Sequence, residues 1–239
     1  MAIIKNNMHI LMTRPLDDSK EIILRFKDLG HKVSHMPLIE IEKVNFDDIN
    51  FNNYKALIFT SANSLKFLDI KKINKNIFCF CVGTATEKKA LSLGFQNVVT
   101  AGGNVRNLKE IIFQNFNSSD GKILYFSGEI ISNELDKELN LNGYDIKRVV
   151  NYKTKPIESL DDKFVNDLKA SIPDIVYIYS NNSALNFLKL INNHKLNDCW
   201  MNTNLMCMSE KTSSVLNNIK WKKIFIFSPG EEEYLLYKI

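Results

Sequence analysis

The sequence predicts an α/β protein made of two similar doubly wound parallel-sheet domains. Three observations carry this reading. Short apolar runs without polar alternation recur along the chain, as strands buried on both faces do. Segments of helical period lie between them. Motifs at the strand ends of the first half then return, in order, in the second. At 239 residues the chain can form two small domains, each with its own core.

Taken in order, the strand-like runs are His9–Met12, Ala56–Phe59, Ile77–Val82, Ile123–Phe126, Ile175–Tyr179, Leu205–Met208 and Ile224–Phe227. Each is read as a buried parallel strand. Ile22, Ile23, Phe26 and Leu29 share one helical face, as do Val105, Leu108, Ile111 and Ile112, and again Ile131, Leu135 and Leu139. Asn104, after Gly102-Gly103, reads as the cap of the helix from Val105. Strands alternating with helices imply βαβ units with right-handed crossovers. The repeat is explicit: Phe59-Thr60-Ser61-Ala62-Asn63-Ser64 returns as Ile178-Tyr179-Ser180-Asn181-Asn182-Ser183. Phe80-Cys81-Val82-Gly83-Thr84-Ala85-Thr86 returns as Met206-Cys207-Met208-Ser209-Glu210-Lys211-Thr212. A third and weaker echo links Phe126-Ser127-Gly128-Glu129 with Phe227-Ser228-Pro229-Gly230-Glu231.

Composition excludes several functions. Lys and Arg number 31 against 27 acids, a net charge of only +4, and the basic residues are scattered singly. A nucleic-acid binder carries a clustered excess, so no nucleic acid is expected, while a polyanionic small molecule stays open. No apolar run approaches the ~20 residues of a membrane-spanning helix. Ala2-Ile3-Ile4 is cut short by Lys5-Asn6-Asn7, too little for a secretory signal, and the expectation is a cytoplasmic protein without membrane contact. Cys79, Cys81, Cys199 and Cys207 show no Cys-x-x-Cys and no His at ligand spacing. They read as free thiols, with neither a metal site nor a disulfide framework.

The chemistry-bearing motifs are equally sparse. There is no Gly-x-Gly-x-x-Gly or Walker pattern and no Gly-x-Ser-x-Gly elbow. His9, His31, His35 and His194 read as strand, turn and surface residues. What does recur is a buried strand ending in Ser, Thr or Asn just before a helix. These are good N-caps, and capping explains any one of them. Strand C-terminal ends and helix N-termini are also where open α/β sheets bind ligands, with free N–H groups that favour anions. Two such sets suggest a shared inter-domain cleft for an anionic ligand.

The ordered motifs resemble those of the uroporphyrinogen-III synthase family. They are Ile10-Leu11-Met12-Thr13-Arg14-Pro15, a helix ending in Leu29-Gly30, and Met36-Pro37-Leu38-Ile39-Glu40-Ile41. Ile58 to Ser64, Val82-Gly83 with Thr86, Asn151-Tyr152-Lys153-Thr154, Tyr179 to Ser183, and Cys207 to Thr212 follow in the family's order. The resemblance implies a cofactor-free cytoplasmic lyase of tetrapyrrole and heme biosynthesis. It cyclises hydroxymethylbilane, a linear tetrapyrrole with eight carboxylates, to uroporphyrinogen III with loss of water and inversion of ring D. It also implies a monomer in transient contact with hydroxymethylbilane synthase. The family fold puts residues 1–38 with 157–239 in one discontinuous domain and 45–147 in the other, with 39–44 and 148–156 as connectors and the active site in the cleft.

The family mechanism starts with loss of the ring A hydroxyl to give an azafulvene cation, which acid assistance speeds. The pyrroles supply the electrons, so the protein's task is positioning and exclusion of water. Tyr152 matches the family tyrosine and is the candidate catalytic residue. Phenols are weak acids at neutral pH, with pKa values of ~10, so proton donation and simple hydrogen bonding are both open, beside an ordinary aromatic role. Thr212 matches a family threonine facing the cleft, with Thr86 as its counterpart. Ser61, Asn63, Ser180 and Asn182 are the expected carboxylate binders, and Thr13, Arg14, Arg148 and Lys153 complete the substrate-binding set. The sequence departs from the family pattern at Ser132, where a basic residue is expected, and at Glu210-Lys211, a turn that is usually Gly/Pro/Thr-like. The alternative is a bilobal cytoplasmic binding protein that closes on an anionic small molecule without chemistry. A two-domain glycosyltransferase would need a nucleotide-phosphate loop, which is missing.

Overall fold

The computed structural model describes residues 7–102, 105–228, 230–234 and 236. Asn104, the expected cap, lies outside the described residues, as do Gly103, the segment from Ala2 to Asn6, and Pro229 of the third echo. Along the chain run β1 (His9–Met12), α1 (Leu16–Asp28), β2 (Lys32–His35), β3 (Ile39–Lys43), β4 (Tyr54–Phe59) and α2 (Asn63–Lys66). Then come β5 (Phe78–Val82), α3 (Thr84–Ser92), β6 (Asn97–Ala101), α4 (Val105–Asn115), β7 (Lys122–Gly128), α5 (Leu135–Leu141) and β8 (Ile146–Pro156). Last are α6 (Asp162–Ala170), β9 (Ile175–Ile178), α7 (Asn181–Asn193), β10 (Asn204–Cys207), α8 (Glu210–Ser214) and β11 (Lys223–Ile226). The chain forms two compact units: unit 1 is Met1–Glu40 with Lys155–Ile239, and unit 2 is Ile41–Thr154.

Unit 1 holds a five-stranded sheet of order β11-β10-β9-β1-β2, with parallel pairing throughout. Unit 2 holds a six-stranded sheet of order β3-β8-β7-β4-β5-β6, parallel from β8 through to β6. The two orders are one design. Matching β4 with β9, β5 with β10, β6 with β11, β7 with β1 and β8 with β2 superimposes them as a cyclic permutation. The first two sequence echoes therefore occupy equivalent places, after β4 and β9 and after β5 and β10. The third echo does not: Phe126 belongs to β7, whose equivalent is β1 rather than β11.

Both sheets are covered on two faces, as double winding requires. In unit 1, Leu11, Val176, Ile178, Leu205 and Cys207 pack against Leu168 of α6 and Phe187, Leu190 and Ile191 of α7. Ile10, Met12, Ile175, Tyr177 and Met206 point the other way, onto Ile23 and Phe26 of α1. In unit 2, Leu57, Phe59, Cys79, Cys81, Leu124 and Phe126 meet Leu65 and Ala90, whereas Ile58, Phe80, Ile123 and Tyr125 meet Leu108, Ile112, Leu135 and Leu139. Neighbouring residues of one strand serve opposite faces, so these runs are apolar without alternation.

Three expectations are corrected. β2 and β6 are strands that the apolar runs do not announce; each is an edge strand, half-covered and poor in large apolar residues. β11 is an edge strand too, and its Ile224 and Ile226 are exposed rather than buried. Leu29 caps α1 from its exposed side, and Ile131 precedes α5, which Ser132-Asn133 hold off until Leu135. The segments 39–44 and 148–156 are extended, and each holds a boundary between the units. β3 and β8 pair at the edge of the unit 2 sheet, since two adjacent extended segments satisfy their backbone groups on one another.

Candidate functional site

Strand order reverses between β1 and β9 in unit 1 and between β4 and β7 in unit 2. A crevice opens at the carboxyl ends of strands where an open α/β sheet reverses. The residues singled out from sequence sit largely at these ends, each set within its own unit.

In unit 2, the ladder between β7 and β8 runs in register from Ile123↔Ile146 to Ser127↔Val150 and then slips, so that Gly128 lies beside Tyr152. A regular ladder would put Asn151 there. The extra residue is a bulge, the device by which a strand re-aims a side chain near a functional site. It lays the Tyr152 ring on Gly128: a methyl group on that glycine would meet Tyr152 Cζ at 2.8 Å and Oη at 3.0 Å. It also leaves Asn151 buried, its amide donating to the Ser64 carbonyl at 2.6 Å. Arg148 donates from Nε to Ser127 Oγ at 2.7 Å, and from one terminal nitrogen to the carbonyls of Gly128 at 2.8 Å and Glu129 at 3.1 Å. Nearby, the Tyr125 hydroxyl meets Thr60 Oγ1 at 3.2 Å. Burial pushes the Tyr125 phenol above its ordinary pKa, against the smaller opposing effects of the Thr60 hydrogen bond and the Arg148 charge.

The other unit 2 candidates divide. Ser61 Oγ accepts from the Asn63 amide at 3.3 Å, and the Ser61 carbonyl accepts from Ser64 Oγ at 2.6 Å, so this turn is held from within; Ser61 and Asn63 stay half-buried. Thr86 is buried in α3, which starts after Gly83, whose φ of +77° only glycine adopts readily. Lys153 is paired with Glu42 at 3.2 Å, a bond between β8 and β3 rather than at a strand end.

In unit 1, Thr13 is buried and its hydroxyl donates to the Tyr177 carbonyl. The Arg14 guanidinium lies 4.7 Å from the centre of the Tyr179 ring, a cation–π contact across the two strands that flank the reversal. Burial, and after it the charge of Glu232, raises the Tyr179 phenol. Ser180 caps α7, accepting from the Ser183 amide at 3.1 Å, while Asn182 is exposed on the first turn. Ser209 caps α8 by the same geometry, and its hydroxyl meets that of the buried Thr212 at 2.9 Å. The recurrent motif is thus a capping serine with a hydroxyl three residues on.

Sequence reasoning missed Gly128, Tyr125 with Thr60, and the Arg14–Tyr179 pair. Gly128 and Thr60, like Arg14 and Tyr179, lie in motifs already singled out, but nothing in the sequence pairs them with their partners. Of the histidines, His194 is no mere surface residue: its Nε2 accepts from the Leu160 amide at 3.0 Å. The four cysteines are free, three of them buried. Among the described residues no group of three His, Cys, Asp or Glu side chains could hold a metal ion, and no helix is long and apolar enough to cross a membrane.

Comparisons with known proteins bear on this arrangement. No curated protein matches the sequence. The chain is similar in structure to uroporphyrinogen-III synthetase from Helicobacter pylori, at 20% identity and a TM-score of 0.63, covering 97% of this chain and 100% of that one. It is similar also to a mutant uroporphyrinogen III synthase from the extremely thermophilic bacterium Thermus thermophilus, at 13% identity and a TM-score of 0.50, covering 97% and 100%. At these identities the likeness is one of fold, two α/β domains over the full length. The sequence itself matches the family model described as uroporphyrinogen-III synthase HemD over residues 20–230. The chain belongs to the uroporphyrinogen-III synthase family.

Proposed function

We propose a division of labour among these residues for the family's reaction. The chain is a cyclising lyase of tetrapyrrole biosynthesis, converting hydroxymethylbilane to uroporphyrinogen III with loss of water and inversion of ring D. In our reading Tyr152 assists departure of the ring A hydroxyl, as proton donor or hydrogen-bond donor. The observation that supports it is the slip in the β7–β8 ladder, which seats this phenol at a strand end beside Gly128. The binding-protein alternative has no observation in its favour.

The bilane's carboxylates fall to residues that are partly or fully exposed: Arg14, Ser61, Asn63, Asn182 and the first amides of α7. Ser180, Thr212 and Thr86 shape these helix starts. Thr13 and Arg148 have a supporting part, since the Thr13 hydroxyl and the Nε and one terminal nitrogen of Arg148 already donate within the protein. Lys153, ion-paired with Glu42, contributes charge at most. Each hydrogen bond to a carboxylate contributes roughly 1.5–3 kcal/mol, so binding is distributed and no one donor dominates. We further propose a cytoplasmic monomer that meets hydroxymethylbilane synthase transiently; the free thiols suit a reducing compartment.

The test is product isomer analysis. Hydroxymethylbilane cyclises unaided to uroporphyrinogen I, with ring D unflipped. The purified protein is expected to divert it to the III isomer, and formation of the I isomer alone by folded protein would remove the assignment.

A further inference from the structure

Arg148 looks from sequence like a carboxylate binder on the strand that carries Tyr152. The structure gives its guanidinium different partners: the Ser127 hydroxyl and the carbonyls of Gly128 and Glu129, at 2.7, 2.8 and 3.1 Å. Three consecutive residues at the end of β7 are thereby gripped by one planar fork, which lysine cannot reproduce. Two of the three, Gly128 and Glu129, form the seat of Tyr152. Gly128 lies against its ring with no room for a methyl group, and the Glu129 amide donates to the Tyr152 carbonyl at 2.9 Å. Ser127 Oγ, the acceptor for Arg148, itself donates to the Gly128 carbonyl at 3.0 Å, so the turn is cross-linked twice. The seat sits at the bulge, where regular pairing stops and the ladder alone no longer fixes the orientation of the ring.

We propose that Arg148 is a positioning residue for Tyr152: by binding the Ser127–Glu129 turn, it holds Gly128 under the phenol and fixes the direction of the hydroxyl. Substrate carboxylates are bound elsewhere. This rests on the reading of Tyr152 as the residue that assists loss of water, and the two are separable by experiment.

The chain has eight tyrosines, and replacing them with 3-fluorotyrosine gives fluorine resonances from which Tyr152→Phe identifies one. Arg148→Met, which keeps length and loses the fork, and Gly128→Ala, which keeps Arg148 and crowds the ring, are each expected to displace that resonance. Each is expected to lower kcat about tenfold to a hundredfold, the effect of a misplaced reacting group, with KM little changed. Arg148→Met added to Tyr152→Phe is expected to cost nothing further. Arg148→Lys, the variant surest to fold, is expected to fall between wild type and Arg148→Met. A Tyr152 resonance unmoved by both Arg148→Met and Gly128→Ala overturns the proposal. So does an Arg148→Met enzyme with raised KM and intact kcat, the signature of a carboxylate binder. Wild-type turnover by Tyr152→Phe alongside a displaced resonance would instead remove the phenol from the reaction and leave its seat standing.

Discussion

A phenol that assists loss of water acts on the rate of cation formation, whereas a hydroxyl that holds a carboxylate shares its task with neighbours. Tyr152→Phe is therefore expected to lower kcat more than Ser61→Ala, Ser180→Ala or Thr212→Ala, while leaving activity measurable in a steady-state assay. Wild-type turnover by Tyr152→Phe would exclude the tyrosine from the mechanism; total loss in a folded Ser61→Ala enzyme would contradict distributed binding. Ser180→Ala is expected to act mainly on stability, by about 1 kcal/mol in urea unfolding, because its side chain caps α7. This capping role was legible from sequence, since a serine between an apolar strand and a helical period is placed to accept from the first free amides. The setting of Tyr152 was not. It depends on a slip between two strands, and a bulge leaves no mark in the composition of either. Arg148 and Lys153 show the same limit: the charge is visible, but its partners are a serine hydroxyl and backbone carbonyls in one case and a residue of β3 in the other.

At the scale of elements, the apolar runs announced most inner strands and the edge strand β11, but not the edge strands β2 and β6. β1, β4, β5, β7, β9 and β10 have neighbours on both sides, and their middle residues are covered on both faces, so those stretches are apolar. β2 reads Lys-Val-Ser-His and β6 Asn-Val-Val-Thr-Ala, because an edge strand needs less burial and gains from polar residues. A second element-level device also escaped the sequence. Asn186 in α7 is buried, and its amide donates to the carbonyls of Leu38 and Ile157, the residues just before β3 and just after β8. One side chain thus clamps both passages of the chain on the unit 1 side, and Ile157 donates in turn to the Leu38 carbonyl at 3.0 Å. Asn186→Ala is expected to destabilise unit 1 by about 2 kcal/mol, the cost of two buried hydrogen bonds. Asn186→Asp should cost more, since it turns an acceptor towards two carbonyl oxygens. Urea unfolding followed by tryptophan fluorescence measures both, and an Asp variant as stable as wild type would dismiss the clamp.

For the whole molecule, the repeat in the sequence correctly announced two like units, but not that one is a cyclic permutation of the other, which only strand order reveals. Each described core cluster lies inside one unit, so the units are expected to unfold in separable transitions. The probes are already built in: both tryptophans, Trp200 and Trp221, pack with Phe187 in the core of unit 1, so their fluorescence reports that unit alone. Unit 1 also contains His9 and His31, both buried. Desolvation lowers each below the ordinary imidazole value of 6.5; in His9 the nearby charge of Lys32 adds to the lowering and that of Asp174 partly opposes it. His31 Nδ1 accepts from the Met8 amide at 3.2 Å, a bond that suits the neutral ring. Because the folded values are depressed, the unfolded chain takes up protons first as pH falls, and its stability relative to the folded state rises. The stability that neutral burial supports is complete above 6.5 and drains away as pH falls through 6.5 towards the lowered folded values. The tryptophan-detected urea midpoint should therefore drop between about pH 7.5 and about pH 5.5, a window above the titration of ordinary carboxylates. His31→Asn, whose amide oxygen can accept from Met8 without titrating, is expected to shrink that drop. A midpoint flat across this window would show that these buried imidazoles do not govern the acid sensitivity of unit 1, and an undiminished drop in His31→Asn would remove His31 from it.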